Sequence, residues 1–134
     1  MATEADLVLL RVTFGRRNIR FKSSCHNYFV YQATTPTPKL TLLPHPPIDR
    51  FIDHEVGLLR CCASPDYIVA ALCNTFESGY FEYDLHIYCS GADAWTCHPI
   101  SLHGLVDPSF AHVNTKAITI GGTAGTIGWV DLYR

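Results

Sequence analysis

Hydrophobic and polar positions alternate in short runs along most of the chain, with a period of two and not the 3.6 of a helix. Ile19-Arg-Phe-Lys22 alternates apolar and basic side chains, as a half-exposed strand does. Tyr28-Phe-Val-Tyr31 and Leu40-Thr-Leu-Leu43 follow, separated by a Thr/Pro turn and closed by Pro44-His-Pro-Pro47. Val56 to Cys61 and Tyr67 to Cys73 read as a hairpin around Ala63-Ser-Pro-Asp66, and the second of these is apolar on both faces, the mark of a central strand. Phe81 to Tyr88 places Phe81, Tyr83, Leu85 and Ile87 on one face. Ser90-Gly-Ala-Asp93 turns the chain into Trp95-Thr-Cys-His98-Pro99. Lys116 to Ile120 and Ile127 to Tyr133 flank a glycine turn. No stretch shows a convincing helical period, and Ala5 to Val12 stays open between helix and strand. The pattern predicts an all-β chain of short antiparallel strands.

The strands repeat. Tyr28-Phe-Val-Tyr31, a polar turn and Leu40-Thr-Leu-Leu-Pro44 parallel Leu85-His-Ile-Tyr88, a polar turn and Trp95-Thr-Cys-His-Pro99. The offset of roughly 55 residues suits a four-stranded propeller blade with a long loop. The hairpin from Val56 to Cys73 has its counterpart in Lys116 to Tyr133. This parse gives one propeller-like domain over residues 1–134, with blade parts at about 15–47, 56–100 and 116–134. The closing Gly128-Trp-Val-Asp-Leu-Tyr-Arg134 puts an apolar strand at the end, and the expectation is a truncated domain. A β-sandwich is the alternative architecture, since it also has many short strands.

Composition fits a packed domain. The 134 residues are 48% hydrophobic and 16% charged, which excludes a disordered tail and a coiled coil. The net charge of −2 disfavours a general nucleic-acid binder. It is unevenly spread: residues 1–50 carry +4 and residues 51–134 carry −6. Such a split either steers a partner or pairs the two halves of one fold, and pairing is the simpler reading. The six cysteines follow no signal peptide and several lie in apolar runs, so they read as reduced thiols of an intracellular protein, cytoplasmic or nuclear. No apolar run approaches the length of a membrane span.

Phe14-Gly-Arg-Arg-Asn-Ile-Arg-Phe-Lys-Ser-Ser-Cys25, Tyr28-Phe-Val-Tyr31, Leu40-Thr-Leu-Leu-Pro44 and the closing Gly121 to Arg134 resemble the N-terminal portion of the plant family catalogued as domain of unknown function 1618. Its members are abundant in grasses and run on for a few hundred residues beyond such a segment. The resemblance implies blades like those of the kelch-like propellers associated with F-box proteins. It brings no catalytic residues, because the family has none assigned. No F-box helices precede the propeller-like part here, so no ubiquitin-ligase role is carried over.

Few residues carry candidate chemistry. Arg16, Arg17, Arg20 and Lys22 form the one basic cluster, a possible contact for an anion or a partner. The same residues also serve as the charged face of an edge strand that discourages aggregation. Gly121-Gly-Thr-Ala-Gly125-Thr-Ile-Gly128 leads into a strand and not a helix, so it reads as a hairpin turn with glycines at positive φ, not as a phosphate loop. Cys25-His26, Cys61-Cys62, His86-x-x-Cys89 and Cys97-His98 fail as metal motifs, since residues one or three apart on a strand face opposite ways. Trp95, Trp129 and the tyrosines read as core and inter-blade packing.

No catalytic, cofactor-binding or metal-binding residue is assigned from the sequence, and no cofactor is implied. The expected function is a non-catalytic protein-interaction or scaffold module with a protein partner and no membrane. The alternative is a carbohydrate-binding or hydrolytic enzyme on a β-sandwich.

Overall fold

Each alternating run pairs with its neighbours in the chain. The computed structural model describes residues 2–14, 25–34, 36–48, 51–62, 64–75, 82–102, 104, 113–121 and 124–132. The first sheet holds β1 (Ala2–Glu4), β2 (Leu7–Phe14), β3 (Cys25–Gln32) and β4 (Lys39–Leu42). The second holds β5 (Val56–Arg60), β6 (Tyr67–Asn74), β7 (Glu82–Cys89) and β8 (Ala94–Ser101), and the third is the hairpin of β9 (Lys116–Ile120) and β10 (Thr126–Val130). Every pairing is antiparallel and every sheet runs in chain order. Helix is limited, among the described residues, to one 3-10 turn at Asp53–Glu55. Among the described residues no helix is long and apolar enough to cross a membrane.

The first strands of the sheets converge. β1 packs beside β5, and β5 packs beside β9 and β10. Consecutive meanders meeting at their first strands fit a partial propeller or a sandwich, in a molecule that is all-β as the alternation predicts. The internal repeat is visible as equivalent hairpins: β3–β4 and β7–β8 take the third and fourth places of their sheets. β5–β6 and β9–β10 begin the second and third sheets.

Three elements differ from the sequence reading. The first sheet starts at Ala2, not near residue 15, and Leu7–Phe14 is strand. Its period was hidden because Leu7 and Leu9 face the core while the intervening Val8 and Leu10 are apolar too. On β7 both faces are used: Tyr83 is buried on the face the alternation singles out, and His86 and Tyr88 are buried on the other. β8 runs past Pro99 to Ser101; among the described strands it pairs only with β7, and an edge strand tolerates a missing N–H. The run Ile19–Lys22 lies outside the described residues.

The main core lies between the first two sheets. Leu7, Leu9, Tyr28, Val30 and Leu43 meet Val56, Leu58, Tyr67, Val69, Ala71 and Tyr88. Phe51, in the segment joining the two sheets, is fully buried among them. Its ring centroid lies 5.5 Å from Tyr28, 5.3 Å from Trp95 and 5.8 Å from His86, each at a tilt. Its N–H donates to the Tyr28 hydroxyl at 2.9 Å, and its carbonyl accepts from Arg11 Nη1 at 2.9 Å. Two ion pairs join the halves of the chain: Arg11–Asp53 at 3.1 Å follows the charge asymmetry, while Arg60–Asp6 at 2.6 Å runs against it.

The third sheet covers the opposite face of the second. A Cβ on Gly57 would stand 2.5 Å from Ile127 Cγ2, and one on Gly125 would stand 2.6 Å from Leu59 Cδ1, so both glycines are places of close approach. Gly125 does this without positive φ, unlike the conformation its turn position predicts. Asn114 Nδ2 donates to the Leu72 carbonyl at 2.8 Å, and Trp129 Nε1 to the Glu55 carbonyl at 2.6 Å.

Phe51→Ala is expected to cost about 3–5 kcal/mol, because it removes a ring that cannot be replaced by local collapse of two sheets. Tyr28→Phe keeps the packing but strands the Phe51 N–H, at about 1–3 kcal/mol. Urea unfolding checks both; an unchanged midpoint in Phe51→Ala would mean that the joining segment does not hold the sheets.

Candidate functional site

On a strand, residues two apart share a face, and antiparallel register sets which residue lies opposite. Asp84 and His86 therefore point the same way from β7. His86 lies opposite Cys97 of β8 and Ala71 of β6, while Asp84 lies opposite Pro99 and Cys73. The result is a cluster of three potential ligand atoms, from Asp84, His86 and Cys97, all within 4.8 Å of one another. His86 is 3% exposed, Asp84 is half-buried and Cys97 is exposed, so the cluster runs from the core out to the surface at the edge strand.

His86 stands out in this layer. Neither of its ring nitrogens has a hydrogen-bond partner among the described residues. The ring stacks at a tilt on Phe51. Burial holds the imidazole below its ordinary pKa, with the Asp84 charge pulling the other way. A neutral imidazole keeps one lone pair free to bind. Desolvation, and then the Asp84 carboxylate, push the Cys97 thiol up. Beside Asp84, Cys73 donates to Glu55 Oε2 at 3.7 Å, and burial together with Glu55 raises that thiol strongly. Carboxylate, imidazole and thiol side by side make a donor set for a borderline-soft divalent cation.

Sequence reasoning missed this set while its geometric rule held. His86 and Cys89, three apart, do not come together, nor do Cys97 and His98. The cluster arises across strands, from a spacing of two on β7 and the β7–β8 register; only the hairpin's pairing could have revealed it. Arg16, Arg17, Arg20 and Lys22 lie outside the described residues. Cys61, Cys73, Cys89 and Cys97 are free thiols. The buried His26 has its Nδ1 3.0 Å from the Thr13 hydroxyl, a structural contact. The glycine run from Gly121 sits between the paired ends of β9 and β10, where Thr126 pairs with Ile120, as a hairpin turn does. Trp95, Trp129, Tyr28, Tyr83 and Tyr88 pack within and between sheets: Trp95 lies 5.4 Å from Tyr88 and donates to the Pro44 carbonyl at 2.9 Å.

No protein-family model, curated protein or solved structure matches the chain.

A buried imidazole with two unpartnered nitrogens weakens the fold that contains it, by about 1–3 kcal/mol. His86→Leu, similar in volume and apolar, is therefore expected to stabilise the chain by about 1 kcal/mol in the presence of a chelator. Urea unfolding in that buffer measures it. A clear loss of stability would show that the ring already has partners.

Proposed function

We propose that the chain is a non-catalytic protein-interaction or scaffold module, built on propeller-like blades and joining further sheets through the two ends of its stack. The observation that carries this reading is the outer face of the first sheet. Leu10, Phe29 and Leu42 form one row across β2, β3 and β4, and Val8, Tyr31 and Leu40 form the next. Leu10 is 41% exposed, Leu40 57% and Leu42 55%, and Val12 and Phe14 extend the patch along β2. A contiguous apolar sheet face of this kind marks an interaction surface.

The internal repeat supports the choice of occupant. In the second sheet the equivalent face, with Val69, Tyr88 and Trp95, is covered by a neighbouring four-stranded sheet. At the other end of the stack the third sheet exposes Ile118 and Ile120. The occupant of the first sheet's outer face is therefore the third sheet of a second copy of this chain, stacked head to tail. Such a heterologous contact builds rings when its rotation closes, and propeller blades rotate about an axis. Membership of the plant family that the sequence resembles is part of the same proposal, through the propeller-like blades that the resemblance implies.

Sedimentation velocity on the purified chain across a range of protein concentration tests this. The wild type is expected to self-associate, and Leu40→Lys with Leu42→Lys to shift the mass towards the 14.9 kDa monomer while circular dichroism stays unchanged. Ile120→Lys, at the other end, is expected to do the same. A wild type that stays monomeric throughout, or association indifferent to both ends, would overturn the head-to-tail reading.

A further inference from the structure

We infer that Asp84, His86 and Cys97 form a binding site for a divalent cation of the zinc class, bridging β7 to the edge strand β8. This goes beyond the interaction reading and is independent of it. Two observations meet at the site. The first is the convergence of a carboxylate, an imidazole and a thiol whose ligand atoms lie within 4.8 Å of one another. The second is that His86, 97% buried by its 3% exposure, has no partner for either ring nitrogen among the described residues. An ion held by the cluster takes the lone pair of one of those nitrogens.

The donor set decides the class of ion. Calcium and magnesium take oxygen ligands almost exclusively, whereas zinc accepts sulfur, nitrogen and carboxylate oxygen together. Bonds of about 2.0–2.3 Å would draw the three atoms closer by roughly 1 Å, within reach of side-chain rotation at the exposed Cys97 and half-buried Asp84. His86 needs no such movement, because Phe51 and the strand register already fix its ring. Three protein ligands leave a fourth position for water on the side where Cys97 meets solvent. Binding takes the thiolate form of Cys97, so the thiol proton is released to solvent as the sulfur–metal bond forms.

The test uses the full chain, stripped with a chelator and titrated with zinc chloride by calorimetry and with cobalt(II) chloride by absorption spectroscopy. One ion per chain is expected, with a thiolate-to-cobalt charge-transfer band. Cys97→Ser, at an exposed position where folding is not at risk, is expected to abolish the band and weaken zinc binding by about tenfold to a hundredfold or more. Asp84→Asn and His86→Leu are expected to weaken it too, and Cys62→Ser to leave it unchanged. No saturable one-to-one binding would overturn the site and leave water as the partner of His86. Binding that ignores Cys97→Ser would overturn it as well, placing the ion on exposed histidines such as His98.

Discussion

The segment from Leu43 to Glu55 must carry the chain from the outer edge of one sheet to the inner strand of the next, across the layer where the two sheets pack. A backbone that crosses such a layer has polar groups to satisfy, and an unpaired one costs as much as a lost hydrogen bond. Here the donors come from all three sheets. Arg11 of the first sheet serves the Phe51 carbonyl, Trp95 of the second serves Pro44, and Trp129 of the third serves Glu55. The Phe51 N–H is taken by the Tyr28 hydroxyl. The joining segment is thus the common acceptor of the stack, and its Phe51 ring, with Leu43, fills space between the first two sheets. Hydrogen bonding fixes where the segment runs, and Phe51 supplies the apolar contact that makes this route favourable.

This dependence separates what the sequence makes legible from what it hides. Hairpins such as β7–β8 show in the alternation and turn residues, because both signals are local. β6 reads correctly as a central strand, because burial on both faces leaves a continuous apolar run. β2 is harder for the same reason turned round: Leu10, Val12 and Phe14 are apolar yet exposed, and they blur the period. Phe51 gives no signal at all, since a single aromatic after a proline-rich stretch has no periodicity to betray its role. The aromatic pairing of Tyr28 with Phe51, and of Trp95 with both Phe51 and Tyr88, is a tertiary fact.

The cluster around His86 was illegible for a further reason. Motif reasoning looks for ligands close in sequence, and on strands the nearest neighbours diverge. Asp84 and His86 are two apart, a spacing too common to notice, and Cys97 reaches them only through the β7–β8 register. The core layer that receives them is otherwise apolar or aromatic on the same face: Ala71 opposite His86, Val69 opposite Tyr88, Trp95 beyond. A strand pattern with valine or leucine at position 86 would satisfy the packing without leaving ring nitrogens unmet. That a histidine stands there is a departure from local consistency, and such departures concentrate at functional positions.

The cluster and the joining segment also share a contact. The Phe51 ring lies against His86 on one side and against Tyr28 of the first sheet on another. Whatever orders the imidazole therefore constrains the ring that fills the inter-sheet space, and through Tyr28 and Arg11 the path of the segment itself. Among the described strands, β8 has hydrogen-bonding support from β7 alone. A bridge from His86 to Cys97 would add a cross-strand tie to this edge strand, two residue pairs from Trp95, whose indole holds Pro44. The polar cluster thus sits where a local change in ligation reaches both anchors of the joining segment, the Phe51 ring and the Trp95 hydrogen bond, without passing through the outer face of the first sheet.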